Sequence, residues 1–195
     1  MLRASIPSRS NPAQKKDYRL YKTELRADFG SRCGYCDTPD IFLGGRSVYH
    51  IDHFAPHSKF PHRKETYSNL IYACAFCNRS KSDKWVGNDP DIPNDGVIGF
   101  VDPCSSTYES HLDRDASGRF VSSTGVGAYM IAELKLSLVR HQHVWQSQRI
   151  KELRERLRVV KIAVGPKNEH YTALLEKIDE LTQAYERFRD QIVDC

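Results

Sequence analysis

The sequence lacks any apolar run of the roughly 20 residues that a membrane-spanning helix requires. Trp and Met are scarce, with two of each among 195 residues. The first residues, Met1-Leu2-Arg3-Ala4-Ser5, also lack the apolar stretch of a secretory signal peptide. These absences exclude a helical membrane protein. They favour a soluble protein of the reducing cytoplasm, where cysteines remain thiols or bind metals.

The sequence also lacks a large excess of positive or negative charge, since the formal net charge is only +4. The distribution is uneven, however. Residues 1–84 hold 15 Lys and Arg against 8 Asp and Glu, whereas the remainder holds 14 against 17. A basic first half predicts a polyanionic partner such as nucleic acid. On charge alone, an ordinary solvated surface is the better explanation.

Six cysteines are present, and four of them form two Cys-x-x-Cys pairs. Two close pairs of thiolates predict a tetrahedral structural zinc site. Disulfides would need an oxidising compartment, and a redox Cys-x-x-Cys would explain one pair but not two. The remaining two, Cys104 and Cys195, lack partners at ligand spacing and are predicted to be free. The four predicted zinc ligands are Cys33, Cys36, Cys74 and Cys77.

The chain is predicted to have three parts. Residues 1–14 contain Pro, Ser and Asn without periodicity, which is typical of a flexible N-terminal arm. Residues 15–125 form a domain whose core motif spans 30–84. Residues 126–195 form a helical extension for packing or interaction.

Apolar periodicity predicts the elements of the central domain. A helix is expected from Lys15 to Phe29, followed by strands over Val48–His53 and Leu70–Tyr72. A short helix is expected to start at Ala75 and to end near Lys84. Two further strands, Val97–Val101 and Arg119–Ser122, are predicted to pair with each other.

The last third changes character, with apolar residues that recur at steps of three and four. The pattern is interrupted by Gly165-Pro166 and then resumes. It predicts two helices joined by a turn, an antiparallel hairpin that packs on the domain or mediates dimerisation.

The segment between the cysteine pairs holds Asp52 and His53, and Asn78 follows Cys77 directly. Adjacent residues of a strand point to opposite faces, so this dipeptide predicts a division of labour. Asp52 is the candidate metal ligand, and His53 is the candidate general base. Asn78 can offer a second oxygen to the same cation, and Mg²⁺ needs few protein ligands.

Four motifs follow one another in order along the chain: Cys33-x-x-Cys36, Asp52-His53-x-x-Pro56, Asn69-Leu70 and Cys74-x-x-Cys77-Asn78-x-x-Lys81. This ordered set resembles the ββα-metal motif of HNH (His-Asn-His) endonucleases, specifically their zinc-containing branch. The resemblance implies an α+β fold, a zinc-stabilised ββα nuclease module with an N-terminal helix and a C-terminal helical hairpin. It implies His53 as general base, Asp52 and Asn78 as ligands of catalytic Mg²⁺ or Mn²⁺, and Asn69 as the residue that braces the loop after the base.

Further residues are predicted around this centre. His50 lies two residues before Asp52, on the same strand face, and is an auxiliary metal or phosphate contact or a structural hydrogen-bonding group. The predicted nucleic-acid contacts are Lys59, Arg63, Lys64, Arg79, Lys81 and Lys84.

The sequence therefore predicts a metal-dependent DNA endonuclease, with structural Zn²⁺ and catalytic Mg²⁺ or Mn²⁺. A zinc-stabilised binding module with a vestigial site, or an adaptor, is the alternative. The stretch Gly99–Pro103 followed by helices is similar to small HNH proteins of anti-phage defence of the Septu type, which work with an ATPase. A partner of that kind, or a homodimer through the C-terminal helices, is a further expectation, and restriction is another role that fits.

Overall fold

A computed structural model describes residues 2–193 of the chain. It divides into two compact units between Ser137 and Leu138, about a dozen residues beyond the predicted boundary. The prediction for Cys195 lies outside the described residues. Within these residues, no helix is long and apolar enough to cross a membrane.

The centre of the first unit is a two-stranded hairpin followed by a helix. Strands β1 (His50–His53) and β2 (Leu70–Ala73) pair antiparallel, with His53 opposite Leu70. All four residues of β2 are buried, and helix α2 (Ala75–Lys81) follows directly. The predicted ββα order is confirmed. Helix α2 ends earlier than expected, because Ser82 adopts a positive φ of 49°.

The predicted N-terminal helix is present in a shorter and more tightly wound form. A 3₁₀ turn spans Tyr18–Tyr21, and helix α1 then covers Lys22–Asp28. Asp17 caps the turn by accepting a hydrogen bond from the Arg19 amide. Gly30, with φ of 56°, follows the helix as the predicted stop signal.

The N-terminal segment is not the flexible arm that its composition predicted. Leu2 and Arg3 are buried, and Arg3 Nη1 donates to the Pro103 carbonyl at 2.8 Å. Arg9 pairs with Asp102 at 2.9 Å. The partners of these arginines lie 100 and 93 positions away, beyond the reach of any local sequence pattern.

A second hairpin follows a short helix, α3 (Tyr108–His111), and pairs β3 (Leu112–Arg114) with β4 (Phe120–Ser122). The predicted pairing of Val97–Val101 with Arg119–Ser122 is therefore wrong. Residues 94–99 instead form a tight turn, in which the Asp95 carboxylate accepts from the amides of Val97 and Ile98. Their side chains are 65% and 42% exposed, so they bury no sheet face.

Helix α4 (Gly125–Glu133) completes the first unit. The Thr124 hydroxyl caps it by accepting from the Gly127 amide at 3.0 Å. A side chain on Gly127 would lie 2.0 Å from the His111 carbonyl oxygen, so only glycine fits here. Val126 and Met130 of the same helix are fully buried in the core.

The second unit is a pair of helices, α5 (Val139–Val164) and α6 (Tyr171–Val193). The chain turns at Gly165, whose φ is 72°, as the Gly-Pro signal predicted. The ring of His143 lies 5.7 Å from that of Phe188, which brings the start of α5 to the end of α6. The predicted antiparallel hairpin is therefore confirmed.

Candidate metal centre and catalytic cleft

Two tight turns bring the four paired cysteines together. Their sulfur atoms all lie within 4.8 Å of one another, and all four residues are buried. Cys74 caps helix α2, since its sulfur accepts a hydrogen bond from the Cys77 amide at 3.4 Å. In the other turn, Thr38 Oγ1 lies 3.2 Å from Cys36 Sγ. Each pair thus contributes two sulfurs to one buried cluster.

The cluster fits a structural zinc ion. Zinc–thiolate bonds of about 2.3 Å place the sulfurs of a tetrahedron about 3.8 Å apart. Cys36 Sγ and Cys74 Sγ are separated by 3.8 Å, far beyond a disulfide bond, and neither forms one. Burial raises the pKa of the Cys33 thiol, so a cation is what would stabilise its thiolate.

The first cysteine turn is attached directly to the hairpin. The Gly34 amide donates to the Tyr72 carbonyl of β2 at 2.9 Å. A side chain on Gly34 would lie 2.7 Å from the ring of Phe29 and 2.8 Å from Ile71. Glycine therefore lets the turn approach β2 closely.

Asp52 lies in a buried polar cluster beneath the cleft. The Tyr35 hydroxyl donates to Asp52 Oδ2 at 2.5 Å, and Lys81 Nζ lies 3.5 Å from the same oxygen. Burial raises the pKa of the Asp52 carboxyl, whereas the Lys81 ammonium and the Tyr35 hydroxyl lower it. Burial also raises the pKa of Tyr35 well above its usual value, so its hydroxyl keeps the proton that it donates.

Lys81 was predicted to contact nucleic acid, and the structure corrects that prediction. Its side chain is 0% exposed, and its ammonium donates to the His53 carbonyl at 3.0 Å. The ammonium is held between Asp52 and the end of β1, so it cannot reach a phosphate. A buried charge needs such partners, and Lys81 instead positions the strand that carries both candidate residues.

His53 is oriented by a backbone carbonyl. Its Nε2 lies 2.9 Å from the Lys64 carbonyl oxygen, which can only accept, so Nε2 carries the hydrogen. In the neutral ring Nδ1 is then the basic nitrogen, and it faces His57 Nδ1 at 3.2 Å. Burial lowers the pKa of His53, which keeps the ring neutral at pH 7. The ring of Tyr18 packs edge-on against it at 4.6 Å.

Asn69 connects the two ends of the loop between β1 and β2. Its Oδ1 accepts from the Ala55 amide at 2.8 Å, and its Nδ2 donates to the Ala55 carbonyl at 3.0 Å. Nδ2 also lies 3.3 Å from the Arg63 carbonyl, next to the carbonyl that holds His53. These contacts are those expected of a residue that braces the loop, whereas a catalytic effect of Asn69 stays a prediction.

A cleft of about 420 Å³ opens above these groups. Asp52, His53 and Asn78 all line it, so the structure brings the three predicted residues to one surface. Asn78 Nδ2 donates to His50 Nδ1 at 2.9 Å, which leaves the Asn78 amide oxygen for another partner. His50 thus contacts Asn78. The roles of all four residues stay predictions.

The other predicted nucleic-acid contacts differ in their surroundings. Arg79 lines the cleft, and Lys59 is exposed. Arg63 pairs with Asp91 at 2.5 Å, and Lys84 pairs with Glu133 at 2.6 Å. Lys64 lies near Glu65, at 3.7 Å. Arg79 and Lys59 are therefore the members of this set that are most available to a polyanion.

Sequence reasoning missed two side chains that touch the site. Tyr35 contacts Asp52, and Tyr18 contacts His53. The only available signal was position, since Tyr35 lies inside a Cys-x-x-Cys turn. His57, of the loop after β1, also contacts His53.

A hairpin and a helix surround one polar cleft and are fastened by a four-thiol cluster, in a ββα arrangement. Comparison with protein families matches residues 33–84 to the HNH endonuclease family. This range runs from the first cluster cysteine to just beyond α2, and the match indicates a phosphodiester hydrolase. No curated protein and no solved structure gave a match, so the similarity to Septu-type proteins is unsupported.

Proposed function

We propose that the first unit is a metal-dependent endonuclease that hydrolyses DNA phosphodiester bonds by a one-metal mechanism. The observation that carries the proposal is the orientation of the His53 ring and its position in the cleft. Its Nε2 is fixed on the Lys64 carbonyl, its Nδ1 is the basic nitrogen, and it lines one cleft with Asp52 and Asn78. A binding module has no need of a neutral, oriented imidazole beside oxygen ligands.

Asp52 and Asn78 would hold the catalytic cation. Tyr35 and Lys81 both contact Oδ2 of Asp52, so we assign Oδ1 as its ligand atom. The amide oxygen of Asn78 is the second ligand, because His50 occupies the nitrogen side. Oxygen donors of this kind suit Mg²⁺ or Mn²⁺. When bound, the cation supplies charge neutralisation at the phosphoryl group and at the departing oxygen.

His53 acts on the attacking water. Nδ1 takes one proton as the water oxygen forms a bond to phosphorus, and the phosphorus bond to the departing sugar oxygen breaks. The departing oxygen gains a proton from solvent, and His53 later returns its own proton to solvent. His57 faces Nδ1 and is exposed, so its ring must give way to the water. We expect this chemistry to take place in the reducing cytoplasm, where thiols that bind zinc persist.

Cleavage of supercoiled plasmid tests the proposal directly. Purified protein that retains its zinc is expected to nick the plasmid when Mg²⁺ or Mn²⁺ is added, and to do nothing without either cation. Zinc content and DNA binding are measured on the same sample. A folded, zinc-loaded protein that binds DNA but never cuts it under any cation would favour the binding-module alternative.

Tyr35→Phe is expected to weaken binding of the catalytic cation by about 10- to 100-fold, because a partner of a metal ligand is removed. The readout is direct titration with Mn²⁺ followed by electron paramagnetic resonance, besides the cation dependence of cleavage. Tyr49→Phe is the matched control. It removes another buried hydroxyl, one that donates to the Thr38 carbonyl at 2.6 Å near the cysteine turn. Equal Mn²⁺ affinity in both variants would contradict the role given to Tyr35.

A further inference from the structure

A second cleft of about 610 Å³ adjoins the catalytic one. The two clefts share Tyr18, Ile51 and Asn78 as lining residues, so they form one continuous surface. The residues that line only the second cleft are Arg19, Lys22, Arg46 and His50.

The second cleft is strongly basic. Three of its seven lining residues are Arg or Lys, and none is Asp or Glu. Lys22 and Arg46 both line it, and burial and then the charge of Arg46 lower the pKa of Lys22. Gathering like charges around a concavity costs free energy, and an anion in the cleft would offset that cost.

Contacts within the protein position two of these cations. Lys22 Nζ donates to the Tyr49 carbonyl and lies 5.8 Å from the ring of Tyr72. The Arg19 guanidinium lies 5.6 Å from the ring of Tyr18. Its contact with Asp17, at 3.7 Å, is solvent-exposed and therefore weak. The cleft thus presents Lys22 fixed on a backbone carbonyl, and Arg19 with only a weak, exposed ion pair.

The position of the cleft indicates its ligand. Each strand of DNA carries one phosphate per about 3.4 Å of helix axis, so a strand in the catalytic cleft brings neighbouring phosphates to the adjoining surface. Arg19 and Lys22 precede the matched range of 33–84. They extend the nuclease module with residues that the match does not cover.

We propose that this basic cleft is a subsite for the phosphodiester backbone beside the bond that is cut. Arg19, Lys22 and Arg46 hold flanking phosphates and fix the position of the strand relative to His53. The inference rests on the proposed function. Phosphate contacts carry no base information, so the subsite strengthens binding to all sequences equally.

The test measures binding of a 30-base-pair duplex in the inactive His53→Ala background across a range of salt concentrations. Arg19→Gln and Arg46→Gln are each expected to reduce the slope of log K against log salt by about one, and the double variant by about two. Lys22 is left unchanged because it holds the Tyr49 carbonyl. Arg119→Gln removes the same charge from an exposed position near the start of β4 and is the matched control. Its slope is expected to stay as in the parent.

Cleavage by the same variants with His53 intact gives a second readout. The double variant is expected to raise KM and leave kcat nearly unchanged, because it removes binding that substrate and transition state share equally. An unchanged slope in the double variant, or an equal change of slope in Arg119→Gln, overturns the subsite. If the wild type still cleaves DNA in that case, the proposed nuclease function stands. Failure of the wild type to bind DNA at all overturns both.

Discussion

His53→Ala is expected to reduce the rate of DNA cleavage by about 10²- to 10⁴-fold, the usual contribution of a general base. The loss is expected in kcat, because His53 acts on the water and not on the phosphate backbone. DNA binding and zinc content are expected to remain, since His53 contributes no sulfur to the cluster. The measurement is single-turnover cleavage at saturating Mg²⁺ or Mn²⁺, combined with a binding assay.

The control for this variant is His62→Ala. His62 is an exposed histidine of the same loop, and its ring lies 6.4 Å from that of Phe60. Its removal tests whether the loss of any imidazole nearby slows the reaction. Thermal unfolding of both variants shows whether the loop stays in place, because His53 is itself buried. Cleavage at the wild-type rate by a folded His53→Ala protein would remove His53 as the base.

Cys74→Ser is expected to unfold the first unit or leave it without native packing. Zinc binding in small thiolate sites is worth about 10–16 kcal/mol in peptides. A typical domain is stable by only about 5–15 kcal/mol, so loss of the zinc site removes an amount of similar size. Cys74 also caps helix α2 and is fully buried. The measurements are zinc stoichiometry and the loss of the cooperative thermal transition of the unit.

Cys104→Ser is the matched control for the zinc prediction. Cys104 is a free, half-buried cysteine outside the four-sulfur cluster. Its variant is expected to keep one zinc per chain and a nearly unchanged transition. The zinc prediction fails if the Cys74→Ser protein contains no zinc and still unfolds in the same cooperative thermal transition as the wild type.

The sequence was sufficient for the features that depend on order along the chain. The cysteine pairs, strands β1 and β2 and helix α2 follow one another within residues 33–81, so spacing alone located them. The turn at Gly165 was equally predictable from the sequence, because glycine and proline interrupt a helical repeat whatever surrounds it. Local chemistry determines such features.

The features that were missed depend on side-chain contacts that charge and strand propensity do not reveal. Lys81 has the composition of a surface residue, and only the fold places it against Asp52, 29 positions earlier in the sequence. The strand predicted over Val97–Val101 has β-branched residues, yet the Asp95 side chain caps a turn there instead. In the second case local hydrogen bonds from a side chain overrode strand propensity. In the first case solvent exposure could not be read from charge.

The clamp formed by Asn69 has a consequence for how such an enzyme changes its target preference. It closes the loop at Ala55 and near Arg63, so the exposed tip around His62 is separated from the carbonyl that orients His53. The entropy cost of closing a loop grows slowly with its length. In the proposed nuclease, insertions or substitutions around His62 can therefore diversify during evolution while His53 keeps its orientation, and new specificities need not begin with a loss of turnover.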